Sequence, residues 1–117
     1  MPIKLKRVYE KPSAYDGIRI LVERLWPRGL KKEEAHVDEW LRDAAPSNEL
    51  RKWYGHDPAK WSQFKEKYWK ELATNRDKVA NLAKECRGKK VTFVFAAKEQ
   101  QYSNAAALKE YIEKQLK

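Results

Sequence analysis

One cysteine, Cys86, stands in 117 residues, so no intrachain disulfide can form, and the chain reads as suited to a reducing cytosol. No stretch approaches the roughly 20 consecutive apolar residues that a membrane-spanning helix needs. The N-terminal MPIKLKRVYEK has no apolar run either and does not read as a signal peptide. There are two histidines, His36 and His56, far apart and without ligand spacing, and no glycine-rich phosphate loop. Neither a metal site nor a cofactor is expected. Acidic residues are also short: 17 Asp and Glu face 26 Lys and Arg.

The basic surplus is uneven. Residues 1–32 carry nine Lys and Arg against three Asp and Glu, a net +6, and the remaining 85 residues carry only +3 of the total +9. Such a surface suits phosphates, nucleic acid or acidic partners, or simply keeps the chain soluble. Five tryptophans, six tyrosines and three phenylalanines supply enough burial to offset chain entropy, so a folded domain is expected despite the charge. The length fits one domain over residues 1–117.

Ile18, Ile20 and Val22 alternate with Arg19, Leu21 and Glu23, the two-residue period of a strand. Residues 3–9 alternate similarly, with lysines on one face, and fit a strand near a sheet edge. Pro12 to Gly17 read as a loop. A helix is expected over Lys32–Ala45, stopped by Pro46. Ser47 caps a short helix, Asn48–Tyr54, which Gly55 ends. Asp57 and Pro58 open the next helix, where Trp61, Phe64, Tyr68 and Leu72 share a face. After Asn75, a further helix turns Val79, Leu82, Ala83 and Cys86 inward and stops at Gly88. Residues 90–97 form a nearly continuous apolar strand, as in the middle of a parallel sheet. Ser103 or Asn104 caps a last helix with Ala105, Leu108, Ile112 and Leu116 as its apolar stripe.

The expected fold is a small α/β domain with a mainly parallel central sheet, flanking helices and a helix-rich middle. Ligands of such sheets lie beyond the carboxyl ends of the strands. That places the Arg24–Gly29 turn and the Lys98–Asn104 loop on one rim. Arg24 and Arg28 flank Trp26 and Pro27, and arginine forks suit phosphate or carboxylate. The structural alternative pairs Arg24 with a carboxylate such as Glu23 or Glu71 and leaves Trp26 as core. Lys98, Ser103 and Asn104 sit where a helix N-terminus attracts anions, or form an ordinary cap. Arg51, Lys52, Trp53 and Tyr54, with His56, form a basic aromatic patch that suits bases and phosphates, or a short helix docked by Trp53. Glu23 is the acid–base candidate should the chain be catalytic, with Tyr102 next, although a strand-end carboxylate beside Arg24 is more often ion-paired. With no strong nucleophile, a covalent intermediate is disfavoured.

The run Arg24-Leu25-Trp26-Pro27-Arg28-Gly29 is followed by Trp40, by Ala45-Pro46-Ser47 and by Leu50-Arg51-Lys52-Trp53. Then come His56-Asp57-Pro58, Trp61 with Phe64, and Tyr68 with Glu71-Leu72. These pieces, spread over nearly the whole chain, resemble the YeaO-like branch of the bacterial and archaeal family called domain of unknown function 488. The resemblance implies a small, soluble α/β protein with no assigned function. It also implies that more distant relatives carry Asp-Val-Arg at the strand end, Cys-x-Glu after the last strand and Cys-His-Arg before the last helix. The corresponding residues here are Val22-Glu23-Arg24, Ala96-Ala97-Lys98 and Tyr102-Ser103-Asn104, so those thiols and that histidine are missing.

The residues leave three readings of function open. The first is a domain, enzymatic or not, that holds a phosphate-bearing or other anionic small molecule through Arg24, Arg28, Lys98 and Asn104, with Trp26 as a wall. The second is a nucleic-acid-binding module acting through the basic N-terminal third. The third is a protein-interaction domain without a pocket. None involves a membrane, and the sequence sets no oligomeric state.

Overall fold

The computed structural model of the protein describes residues 3–116. Its centre is a four-stranded, wholly parallel sheet. The strands are β1 (Lys4–Arg7), β2 (Ile18–Leu21), β3 (Glu39–Trp40) and β4 (Val91–Phe95), in the order β1-β4-β2-β3. The lysine-bearing β1 lies at an edge, and the apolar β4 is buried along its whole length beside β2. A small parallel α/β domain is what the apolar pattern predicts.

Period-two alternation sorts the central strands onto two faces. Ile20, Val22, Val91, Phe93 and Phe95 enter the larger core with the helices. Leu21 and Val94 face the other way and pack with Val8 and Ala35 beneath Trp26, Leu30, Val37 and Trp40. Helices α2 (Asn48–Tyr54), α3 (Trp61–Ala73), α4 (Arg76–Cys86) and α5 (Asn104–Gln115) fall close to where the sequence places them. Ser47 Oγ accepts from Leu50 N, and Ser103 Oγ accepts from Ala106 N. Phe64, Tyr68 and Leu72 are buried on α3, and Val79, Leu82, Ala83 and Cys86 on α4.

The expected helix over Lys32–Ala45 does not form. Only Lys32–Ala35 is helical (α1), followed by β3 and a 3₁₀ turn at Arg42–Ala44. The cause is Arg19, which is buried on β2. Its guanidinium donates to the Ala35 carbonyl (3.0 Å), the His36 carbonyl (3.0 Å) and Asp16 Oδ2 (2.7 Å). The carbonyls that would continue the helix are thus taken. Asp38 Oδ2 accepts from Arg19 N at 2.8 Å, and Glu39 and Trp40 then pair with Ile20 and Leu21. Helical spacing in this segment reflects side chains that dock singly, Ala35, Val37 and Trp40 on the second face of the sheet and Leu41 against the larger core.

The start of β2 is equally constrained. Burial alone would raise the Asp16 carboxyl, but hydrogen bonds from Ser13 N, Arg19 and Lys6 hold it below its ordinary range. Gly17 comes next with φ +64°, and a Cβ there would stand 2.2 Å from the Lys90 carbonyl oxygen. Gly17→Ala is therefore expected to destabilise by roughly 2–4 kcal/mol, through both contact and backbone strain. Gly55→Ala, also at positive φ but with its nearest neighbour at 3.8 Å, should lose only about 1 kcal/mol. Denaturant midpoints of the two variants check the difference.

At the opposite edge, Glu39 meets Glu85 of α4. A hydrogen bond with Glu85, burial, and the like charges of Glu85 and Asp38 push the Glu39 carboxyl up to about 7, against a smaller pull from Lys89. The folded chain holds this proton more tightly than the unfolded chain, whose value is near 4.5. The resulting stability is complete below that value and is lost as pH rises through 7. Chemical unfolding monitored across this window should show wild-type stability falling with pH, and Glu39→Gln should flatten the slope.

Candidate functional site

β2 and β4 run side by side to Leu21 and Val94, and Val22 N still reaches the Val94 carbonyl at 3.2 Å. The two strands then part. Glu23 fills the fork: its Oε2 accepts from Ala96 N at 2.8 Å, and its own carbonyl accepts from Trp40 Nε1 at 2.6 Å. Asn104, the first residue of α5, closes the same gap by donating Nδ2 to the Val22 carbonyl at 2.6 Å. The carboxyl ends of both central strands are therefore held open by side chains.

Above this fork lies a cavity of about 550 Å³, within the usual range of small-molecule sites. Glu23 and Asn104 lie at its base with the buried rings of Tyr54 and Phe64, which stack at 4.2 Å. Leu25, Trp26 and Pro27 form one wall, and Trp26 is fixed by its Nε1 bond to the Leu30 carbonyl and an edge contact to Trp40. Arg28, Arg51, Lys52 and His56, with Ala96 and Ala97, complete the lining, and Glu23 is its only carboxylate among the described residues. Burial pushes the Glu23 carboxyl above its ordinary range, against the pull of the Ala96 N–H, the Arg51 and His56 charges, and the Asn104 amide. Arg51 Nε is buried without a hydrogen-bond partner. His56 takes a left-handed backbone (φ +57°), which few non-glycine residues adopt.

Of the eight residues expected on the rim, Glu23, Trp26, Arg28 and Asn104 meet here. Arg24, Lys98, Tyr102 and Ser103 lie outside the cavity wall. Arg24 turns away and donates Nε to the Pro46 carbonyl and Nη2 to the Ala45 carbonyl, both at 2.9 Å, rather than pairing with Glu23 or Glu71. Ser103 is buried as the cap of α5, with its hydroxyl donating to the Gln100 carbonyl. Lys98 is exposed on the loop after β4. Tyr102 sets its ring edge-on to Trp61, and its carbonyl accepts from Tyr54 Oη at 2.7 Å. Burial pushes the Tyr54 phenol up to about 12.

Arg51, Lys52, Tyr54 and His56 are the residues whose place at this site sequence reasoning missed. The basic aromatic run was visible, but its position against the sheet was not. That position comes from Arg24 gripping Ala45 and Pro46, and from Glu71, which accepts both Ser47 N (2.9 Å) and Ser47 Oγ (2.6 Å). Together they hold the start of α2 beside the rim.

The cavity wall offers hydrogen-bonding and charged groups but no thiol. Cys86 is buried elsewhere, and burial pushes it up to about 11. Among the described residues no group of three His, Cys, Asp or Glu side chains could hold a metal ion, and no helix is long and apolar enough to cross a membrane.

Fold and site thus define a small parallel α/β protein with a cation-lined pocket at the carboxyl ends of its central strands. The chain belongs to the family of domain of unknown function 488: residues 2–117 match the family model described as the inactive DUF488-N3 subclade. It is 38% identical over 112 residues to the uncharacterized protein YeaO of Escherichia coli strain K12, covering 96% of this chain and 97% of that one. It is 40% identical over 106 residues to the uncharacterized protein Rv3073c of Mycobacterium tuberculosis strain H37Rv, covering 91% and 89%. No solved structure matches the chain significantly.

Arg24 now has a structural role that can be measured. Arg24→Ala removes two hydrogen bonds from a charged donor and is expected to cost about 1–3 kcal/mol in denaturant unfolding. Arg28→Ala, at an exposed position, should stay within about 0.5 kcal/mol of wild type.

Proposed function

We propose that this protein binds a small anionic, phosphate-bearing ligand in the cavity above the β2–β4 fork. One observation carries the reading: Arg28, Arg51 and Lys52, with His56, line a cavity holding a single carboxylate, and the buried Nε of Arg51 has no partner. A guanidinium that no protein acceptor engages keeps donors that an anion can take up. Compared with the sequence-based expectation, the binding role passes from Arg24 and Lys98 to Arg51 and Lys52, while Arg28, Trp26 and Asn104 keep theirs.

Binding without catalysis is the simpler form of this reading. The wall holds no thiol, Tyr102 lies outside it, and the matching subclade is described as inactive. Glu23 remains the one group placed for proton transfer should turnover be found.

The nucleic-acid reading draws less support. Of the nine Lys and Arg in residues 1–32, Lys6, Arg7, Arg19 and Arg24 are spent on internal partners. That leaves Lys4, Lys11, Arg28, Lys31 and Lys32 to meet a phosphate backbone, fewer than the sequence count suggests.

Amide-resolved NMR titration with inorganic phosphate and with a short oligonucleotide, at low and at about 0.15 M salt, tests both. Phosphate is expected to shift residues 23–28, 51–56, 96–97 and 104 at either salt concentration. Arg51→Ala should weaken that response about ten- to a hundredfold. Diffuse, salt-sensitive shifts over residues 4–32 with the oligonucleotide alone would transfer support to the nucleic-acid reading.

A further inference from the structure

The lining of this cavity is polarised from floor to mouth, a polarity that bears on ligand chemistry only if the anion-binding reading holds. Glu23 and Asn104, both partly buried, stand at the floor, and Arg28, Lys52 and His56 are exposed at the mouth. Arg51 is partly buried as well, close enough for its charge to act on Glu23. A guanidinium and a carboxylate that share a cavity normally close into a two-pronged pair. Here they do not: among the described residues no ion pair includes Glu23, Arg28, Arg51 or Lys52, and Arg51 Nε stays unpartnered.

The backbone explains the separation. Glu23 is anchored at the fork, with Oε2 committed to the Ala96 N–H at 2.8 Å. It cannot swing to Arg51 without leaving that peptide group unpaired. The cavity therefore keeps an acceptor at its floor and unpaired cations above it. A bare anion held by Arg51 has nothing to donate to the Glu23 oxygen that the Ala96 N–H leaves free. A ligand that also offers a hydrogen-bond donor would engage both groups. The volume, about 550 Å³, exceeds what a lone phosphate fills, and Leu25, Trp26 and Pro27 supply an apolar wall for the connecting part.

We propose that the ligand is amphoteric, with an N–H donor group directed to Glu23 at the floor and an anionic group held by Arg51 and the cations at the mouth; this rests on the anion-binding reading. Two kinds of small molecule share this chemistry: a nucleobase ring bearing phosphate, and an alkylammonium bearing phosphate. Glu23 and Arg51 are the specificity-determining pair, one reading each end.

Calorimetry on the full chain with four probes tests this: inorganic phosphate, phenyl phosphate, O-phosphoethanolamine and guanosine monophosphate. Phenyl phosphate brings a flat ring without an N–H, and the last two bring the N–H in different forms. At least one N–H probe is expected to bind about tenfold or more tighter than both phosphate and phenyl phosphate. Which one does so identifies the source. Glu23→Gln should erase the gap, because its amide presents N–H where the carboxylate only accepts, while its oxygen can still take the Ala96 N–H and keep the fold. Should that variant fail to fold, the wild-type ranking of the four probes still decides. Phosphate or phenyl phosphate binding as tightly as both N–H probes, or a gap that survives Glu23→Gln, would overturn the proposal and leave simple anion binding standing. No binding of any probe, phosphate included, would remove the anion-binding reading and this one with it.

Discussion

Two parallel strands that part company leave peptide groups with nowhere to bond, and the cavity depends on how this chain meets that constraint. Between Val22 and Ala96 the ladder between β2 and β4 ends inside the protein. Unpaired backbone groups there would each cost about 1–3 kcal/mol. Glu23 takes the Ala96 N–H, Asn104 takes the Val22 carbonyl, and Trp40 takes the Glu23 carbonyl. Side chains from three places in the sequence thus substitute for the missing ladder. The fork can stay open because it is paired, and an open fork between strand ends is where a parallel sheet offers room for a ligand.

The same economy explains why the charge of the N-terminal third is a poor guide to function. Arg7 donates to the Ala96 and Ala97 carbonyls, Arg19 to Ala35, His36 and Asp16, and Arg24 to Ala45 and Pro46. Each of these arginines satisfies loop carbonyls with one planar fork, a task lysine's single ammonium centre suits less well. They hold irregular segments where regular hydrogen bonding is absent. Arg28, Arg51 and Lys52 at the cavity make no such side-chain bond among the described residues; they come from the turn after β2 and from α2.

The fold was legible wherever pattern and burial agree. Continuous apolar residues in β4, alternation in β2, and the capping residues Ser47, Asp57 and Ser103 all mark local preferences that tertiary packing reinforces. It was illegible at Lys32–Ala45, where Arg19, from a different strand, outcompetes the helix for its carbonyls. The site divides in the same way. The strand-end rule located Glu23, Trp26, Arg28 and Asn104 because it depends on topology alone. It failed for Arg24 because a side chain beside a rim can point into the cavity or behind it, and only the neighbouring Ala45–Pro46 carbonyls decide which. It was silent on Arg51 because the docking of α2 is set by Glu71, which lies in the next long helix, α3.

The residues at the rim and the shape of the site belong together. The family resemblance places thiols and a histidine of more distant relatives where this chain has Ala96-Ala97-Lys98 and Tyr102-Ser103-Asn104. At those positions the backbone N–H of Ala96 and the amide of Asn104 pin Glu23 and Val22, and Ser103 is sealed inside as a helix cap. Asn104 and Ser103 hold backbone groups in place at these positions, and neither offers the thiol or imidazole of a nucleophile or base. A rim built in this way has a concavity, an apolar wall and cations, but no thiol. The pocket stands without nucleophiles because in this fold it is a consequence of how the strands end.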